Sequence, residues 1–387
     1  MVKLLRRASL SDLPVNKPLE WSIYDANNNL ILRKGIVISM PGVAEKIVHR
    51  GYYIGEPNPA EEKSNEAANE DERDEWAVRE PVFVLATELI TSISRIHKIV
   101  LSPPSNLSRI EDLVWQRARQ LIQLLKRNSD AVLAALYLNQ SSRETRPVKH
   151  VLGAAVAYLI AVQSCDDDAQ LLPLVCAALT RDISLYHFDH TSSHLEIMSD
   201  HEYSRIKEHT VSAVRMLRKH GIHDEAWLRY VYEHHEKPDG SGYPHGKKND
   251  ELHEFSMILS LADTYAGMVV ANQRRSGILP GNSLKEIFVS KGSLCLEKHI
   301  SVLIRKIGIF PPGSLVQLNN GEVGIVKSYC QNKKNPEVYV VSDAKGFPKA
   351  DPVLRDIRQP EFAIQSSISL GKCKVAMFSI KKIWQEV

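Results

Sequence analysis

Hydrophobic residues recur at two different periods along this chain. Between about 81 and 309 they return every three or four positions, the spacing of one face of an α-helix. The segments VFVLATELITSISRIHKIV, IEDLVWQRARQLIQLLKR, DAVLAALYLNQ and PVKHVLGAAVAYLIAVQ all show it. So do LLPLVCAALTRDISLY, SRIKEHTVSAVRMLRKHG, DEAWLRYVYEHHE, EFSMILSLADTYAGMVV, SLKEIFVSKG and LEKHISVLIRKIG. Loops between them are short, which predicts an all-helical domain over 81–309 with its core at 145–309. At PPGSLVQLNNGEVGIVKSY the period becomes two, with Asn-Asn-Gly as a turn, so 310–387 reads as a small β domain of hairpins. Near the start, LEWSIYDANNNLILRKG reads as strand, Asn-rich turn and strand, followed by the short helical piece VAEKIVHRG. Residues 1–57 are thus a small α+β module. The fold class is mainly α: a central all-helical domain between two small flanking modules.

Composition adjusts this picture at two places. From 61 to 75 there are eight acidic and two basic residues and no large apolar side chain, so 58–80 reads as a solvated acidic linker. Elsewhere the 387 residues have ordinary globular composition, with a net charge of +3 that calls for no nucleic-acid partner. Five cysteines without a CxxC pair make a disulfide framework a poor reading and a reducing, cytoplasmic setting the better one. The longest apolar run, VLGAAVAYLIAV, has 12 residues, too few for the roughly 18 of a membrane span.

The candidate chemistry is concentrated in the helical part. Twelve of the 15 histidines lie between 150 and 253. His209 borders the apolar face of its helix, and His234 and His235 end another. Adjacent helical residues project about 100° apart, so both reach one cluster only if it is large or if one of them faces a ligand. Asp182 follows LLPLVCAALT, and Asp263 interrupts the apolar FSMILSLADTYAG. A carboxylate in such a setting must be paired, hydrogen-bonded or metal-bound. Two aspartates and three histidines against buried helical faces make a donor set for Fe, Mn, Zn or Mg. Beside them, Asp239, Gly240, Gly242, Tyr243 and Pro244 form a tight loop whose glycines let backbone amides approach an anion.

The stretch HHEKPDGSGYP at 234–244 resembles the HHExxDGxGYP signature of the HD-GYP family, a branch of the HD phosphohydrolases. The resemblance covers roughly 145–310. His150, RDISL at 181–185, His209 and LADTYAG fall in the family's order and spacing. It implies an all-helical, metal-dependent phosphodiesterase acting on cyclic di-GMP or a related cyclic dinucleotide, with protein signalling partners. It implies metal ligands Asp182, His209, His234, His235 and Asp263, holding one or two divalent ions (Fe, Mn or other) that activate water. The substrate would meet Asp239, Gly240, Gly242, Tyr243, Pro244 and Arg275.

The departures from the family pattern are specific. Arg181 stands where the HD histidine belongs, and a guanidinium has no lone pair to give a metal. Leu185 replaces the lysine of HDxGK, Ser184 its glycine, and Ala266 the second aspartate of ADxxDA. Arg181 is itself a candidate phosphate contact. Two readings stay open: a phosphodiesterase with a reduced metal set, and an inactive member acting as a nucleotide sensor or protein-interaction module.

Overall fold

The protein is described from a computed structural model covering residues 6–14, 17, 19–24, 30–32, 34, 48, 53–55, 81–102, 110–139, 145–187, 204, 206–271, 276–290, 295–328, 335–369, 380 and 382–384. The expected linker at 58–80, most of VAEKIVHRG, and Arg275 lie outside these residues. Contacts divide the chain into two units, 1–80 and 81–387.

The first unit contains four short strands, β1 (Arg6–Arg7), β2 (Ser22–Tyr24), β3 (Leu30–Leu32) and β4 (Tyr53–Gly55). They form an antiparallel sheet of order β1-β4-β2-β3. The β2–β3 pair is the hairpin expected around the Asn-rich turn.

The second unit opens with α1 (Val82–Leu101), which buries Val82, Phe83, Ala86, Leu89, Ile93, Ile96 and Val100 at helical spacing. The next two helical segments read from the sequence are the two helices of α2 (Ile110–Leu138), which meet at a kink at Asn128. There the backbone leaves helical geometry, and Asn128 Oδ1 accepts from the Ala131 amide at 2.9 Å, capping the second half. α3 (Arg146–Ala161) is buried on nearly every face. It packs between α4 (Asp168–Thr180) and α7 (Glu254–Val269). α5 (His209–Lys219), α6 (Glu225–Glu233), α8 (Pro280–Val289) and α9 (Glu297–Ile307) complete the helical body.

The strands β5 (Leu315–Leu318), β6 (Val323–Ser328), β7 (Glu337–Ser342), β8 (Pro348–Arg355) and β9 (Ile364–Ile368) form a five-stranded antiparallel sheet of order β8-β7-β6-β5-β9. Gly321, at φ 85°, closes the β5–β6 turn as the Asn-Asn-Gly signal required. The period switch near 310 therefore marks a real change of architecture. The sheet nevertheless shares the compact unit of the helices. Leu315, Ile325 and Val341 join the helical core, while Val316, Leu318, Val326, Val338 and Val340 form a small core of their own. Trp384, near the C-terminus, stacks on Phe83 of α1 at 5.4 Å.

Candidate metal centre

Three contacts fix where the centre forms. The α6 N-cap, Asp224, accepts from the Trp227 amide at 2.8 Å, and the Trp227 indole N–H donates to Thr180 Oγ1 at 2.9 Å. That bond holds α6, which ends at His234, against the last turn of α4, just before Asp182. Ser184 Oγ donates to the His209 carbonyl at 2.7 Å, tying the turn after α4 to the start of α5. α5 begins at His209, and Ser204, Ile206 and Lys207 ahead of it are helical too, separated from it by a turn at Glu208.

Asp182, His209, His234 and His235 converge, each offering one ligand atom, with all four atoms within 4.8 Å of one another. His209 Nδ1 lies 2.6 Å from the Ile206 carbonyl and His234 Nδ1 2.7 Å from the Val231 carbonyl. A carbonyl only accepts, so in both rings Nδ1 carries a proton and Nε2 is the nitrogen turned to the centre. These two Nε2 atoms are 3.4 Å apart, and each is 3.5 Å from Asp182 Oδ1. Two ring nitrogens and a carboxylate oxygen thus face one another. Their spacing is the edge of a tetrahedron whose centre lies about 2.1 Å from each corner, a typical metal–ligand length. The carbonyl bonds behind the rings are the arrangement that orients metal-binding histidines. Burial, with His209 and Asp182 acting against each other, pushes the His234 imidazole below its ordinary value. Burial and His234 push His235 well below. Convergent ring nitrogens and a carboxylate oxygen fit a divalent cation.

The fifth expected ligand, Asp263, is engaged differently. Asp263 Oδ1 takes a bond from Arg181 Nε at 2.7 Å and another from Lys149 Nζ at 2.9 Å. Lys149 Nζ also donates to Asp182 Oδ2 at 2.9 Å. Burial works to raise both carboxyls, and the Lys149 ammonium leads the groups that outweigh it and hold both below the carboxylate range. Asp263 is thus an anion bound by two cations, outside the four-residue cluster.

Arg181 is completely buried. Its guanidinium bonds Asp263, the Ala178 carbonyl and, at 3.5 Å, the Lys149 carbonyl. The sequence-based expectation of a phosphate contact at Arg181 therefore fails sterically: no ligand reaches a side chain with no exposed surface. Lys149, whose side chain is 25% exposed, is the cation at the edge of the site. Gly153 explains how α3 admits the guanidinium, since a Cβ there would lie 2.9 Å from Arg181 Nη2.

Behind Asp182 runs a second line of rings. His150 Nε2 is 3.5 Å from Asp182 Oδ2, and its Nδ1 lies 3.0 Å from the Leu179 carbonyl and 3.3 Å from His97 Nε2. His97 Nδ1 meets the Tyr186 hydroxyl at 2.8 Å. Burial pushes His150 down to about 4 and His97 well below its ordinary value.

The loop is held from below. Glu236, buried, accepts from the His245 amide at 2.7 Å and the Lys247 amide at 3.0 Å. Buried Glu233 accepts from Ser256 Oγ at 2.6 Å and Lys247 Nζ at 2.8 Å. The Tyr243 amide donates to the His235 carbonyl at 3.1 Å. A Cβ at Gly242 would lie 2.4 Å from the Lys237 nitrogen and 2.5 Å from the His235 oxygen, so only glycine fits. Gly240 sits at φ 79°. Asp239 Oδ1 accepts from the Ser241 amide at 2.9 Å, and Pro244 follows a cis bond. The Tyr243 ring stacks on His235 with centroids 4.7 Å apart. One face of a metal-site histidine is thereby joined to the loop. A cavity of about 420 Å³ lies instead at the far end of α7, lined by Val269, Leu279, Gly313, Leu315 and Ile368, with no residue of this centre in its wall.

Sequence reasoning missed Lys149, Gly153, His97 and the two supporting glutamates. One signal was present: Lys149 is the only charged residue of PVKHVLGAAVAYLIAVQ.

Residues 111–294 match the family model described as HD domain. A cyclic di-GMP phosphodiesterase of Thermotoga maritima is 34% identical over 110 residues, 28% of this chain and 30% of that protein. A cyclic di-GMP phosphodiesterase of Pseudomonas aeruginosa is 22% identical over 149 residues, 38% of this chain and 36% of that protein. The HHEKPDGSGYP stretch, folded as a pinned loop beside the histidines, agrees with these likenesses. The helical body matches an HD domain over somewhat less than half of the chain, and its relatives and its loop support an HD-GYP protein. The chain spans about a third of the length of those two curated relatives. Among solved structures, an HDG"Y"P protein from Bdellovibrio bacteriovorus aligns with a TM-score of 0.49 at 15% identity, over 77% of this chain and 98% of that one. Within the described residues, no helix is long and apolar enough to cross a membrane.

Proposed function

We propose that this protein is an HD-GYP cyclic di-GMP signalling protein that binds the nucleotide and hydrolyses it slowly or not at all. Binding is supported by the intact loop: Gly240 and Gly242 keep its backbone compact, and Tyr243 with His235 forms an aromatic platform for a base. The single observation that carries the loss of hydrolysis is the engagement of Asp263 by Arg181 Nε at 2.7 Å and Lys149 Nζ at 2.9 Å. The carboxylate that should complete a metal-dependent phosphodiesterase site is spent on internal ion pairs.

A divalent ion, Fe or Mn by its N/O donor set, would be held by Asp182, His209, His234 and His235. When bound it polarises a phosphate oxygen or lowers the pKa of water. The protein's own groups do the rest. His209 and His234 keep their protons on Nδ1, towards carbonyls. Glu233 and Glu236 hold the loop, and Lys149 keeps an ammonium N–H for an anionic ligand after bonding two carboxylates. We place the protein in the cytoplasm, with other signalling proteins as partners. Free Cys165, Cys176 and Cys295 suit a reducing compartment.

A second reading, a one-ion phosphodiesterase, is favoured by the intact cluster around Asp182. Isothermal titration of cyclic di-GMP together with chromatography of the nucleotide after incubation in Mn²⁺ separates them. Binding with recovery of intact nucleotide supports the sensor; turnover that vanishes in His234→Ala supports the enzyme; absence of binding contradicts both.

A further inference from the structure

The structure assigns to Lys149, acting with Arg181, the role of a built-in second cation, so that the centre takes one divalent ion and not two. This deepens the proposed function and rests on its reading of the histidine cluster as a metal site.

Charge and contact lead to this assignment. Asp182 and Asp263 bring two negative charges, and Lys149 and Arg181 bring two positive ones. Lys149 Nζ bridges the carboxylates at 2.9 Å to each. Arg181 Nε bonds Asp263 at 2.7 Å and lies 3.9 Å from Asp182 Oδ2. The four charges cancel before any metal arrives. The two oxygens of Asp182 then face different partners. Oδ1 faces the ring nitrogens of His209 and His234, and Oδ2 faces the ammonium. A divalent ion fits the first side. On the second side it would have to displace the ammonium and lie against a guanidinium that cannot lose its proton.

The surroundings are built for this arrangement. Arg181 is wholly buried, and the anions it faces among the described residues are these two carboxylates. A buried charge without a partner is strongly unfavourable, so Asp263 is committed to it. Gly153 on α3 leaves room for the guanidinium, where any Cβ would meet Nη2 at 2.9 Å and Nη1 at 3.1 Å. Gly267 on α7 faces the Lys149 stem, and a Cβ there would lie 3.6 Å from Lys149 Cε. The lysine enters from the edge, at 25% exposure, one residue before His150.

The test counts ions and needs no nucleotide. The full chain, stripped with a chelator, is dialysed against Mn²⁺ and bound metal is measured per chain. Wild type saturates at about one ion. Lys149→Met removes a like charge beside the ion, and the Kd of that ion falls roughly tenfold. The pair Lys149→Met with Arg181→His, which supplies a ligand where a cation stood, saturates at about two. Two ions in the wild type, or a Kd unchanged by Lys149→Met, overturns the assignment. Should the double variant fail to fold, the wild-type count and the Lys149→Met Kd decide alone. Cyclic di-GMP titrated onto the same samples reads the proposed function separately, because lack of nucleotide binding leaves the ion count unchanged.

Discussion

The two halves of the centre sit on opposite sides of Asp182 and obey different chemistry. On the loop side, His209 and His234 turn ring nitrogens towards one carboxylate oxygen, with His235 beside them, a set that could hold a cation from outside. On the α3 side, the same carboxylate and Asp263 meet Lys149 and Arg181, and the cations are supplied by the chain. The difference shows that a family's residues can persist while their roles separate. Asp182 still serves both sides, whereas Asp263 has become an ion-pair partner. A site with one half awaiting a metal and the other already neutral suits retention of an anionic ligand better than hydrolysis of it.

The widest break in the comparison comes from the shared residue. Asp182→Ala removes the only carboxylate of the cluster, and Mn²⁺ affinity should fall at least about 100-fold by equilibrium dialysis. Breaking the α3 half alone costs stability. Arg181→Met leaves Asp263 with Lys149 only, and urea unfolding should show a loss of about 3 kcal/mol. An unchanged midpoint would mean the buried pair is not formed. Acid sharpens the contrast next. His97 and His150 are neutral in the fold and protonate near 6.5 once unfolded. The unfolded chain therefore binds more protons below that value, and stability falls as the pH drops from about 6.5 towards about 4. Each histidine contributes up to about 1.4 kcal/mol per pH unit. Melting temperatures that stay flat over this window contradict neutral buried rings.

Changes to the loop half should weaken the ligand. Gly242→Ala forces backbone atoms 2.4–2.5 Å away to shift, and cyclic di-GMP affinity should drop roughly tenfold or more by calorimetry. Tyr243→Ala removes the ring stacked on His235, with an expected loss of about 1 kcal/mol of binding. If both variants bind like wild type, the loop is not the nucleotide's lip.

The legible parts of the protein were those written in contiguous residues. Helical periodicity located α1 to α9, and HHEKPDGSGYP named both a ligand pair and a loop. The two helices of α2 were legible as well, because Asn128 interrupts the pattern where the backbone leaves helical geometry. The shared core of helices and sheet was hidden, since Leu315 and Ile325 look the same whichever core they enter. Arg181 was recognised as a missing ligand, yet its partner lies 82 residues away on α7, and a local reading left it pointing at phosphate. Lys149 was passed over for the same reason, with Asp182 33 residues further on. Gly153 has meaning only beside the guanidinium it admits.

The most direct test of the account is the fate of the nucleotide itself. Equimolar cyclic di-GMP and purified full-length chain are incubated in excess Mn²⁺, and the nucleotide is recovered and separated by chromatography. The account predicts that it is bound and recovered as the intact cyclic form. Complete conversion to the linear dinucleotide or to GMP by the wild type, abolished in Asp263→Ala, would contradict it.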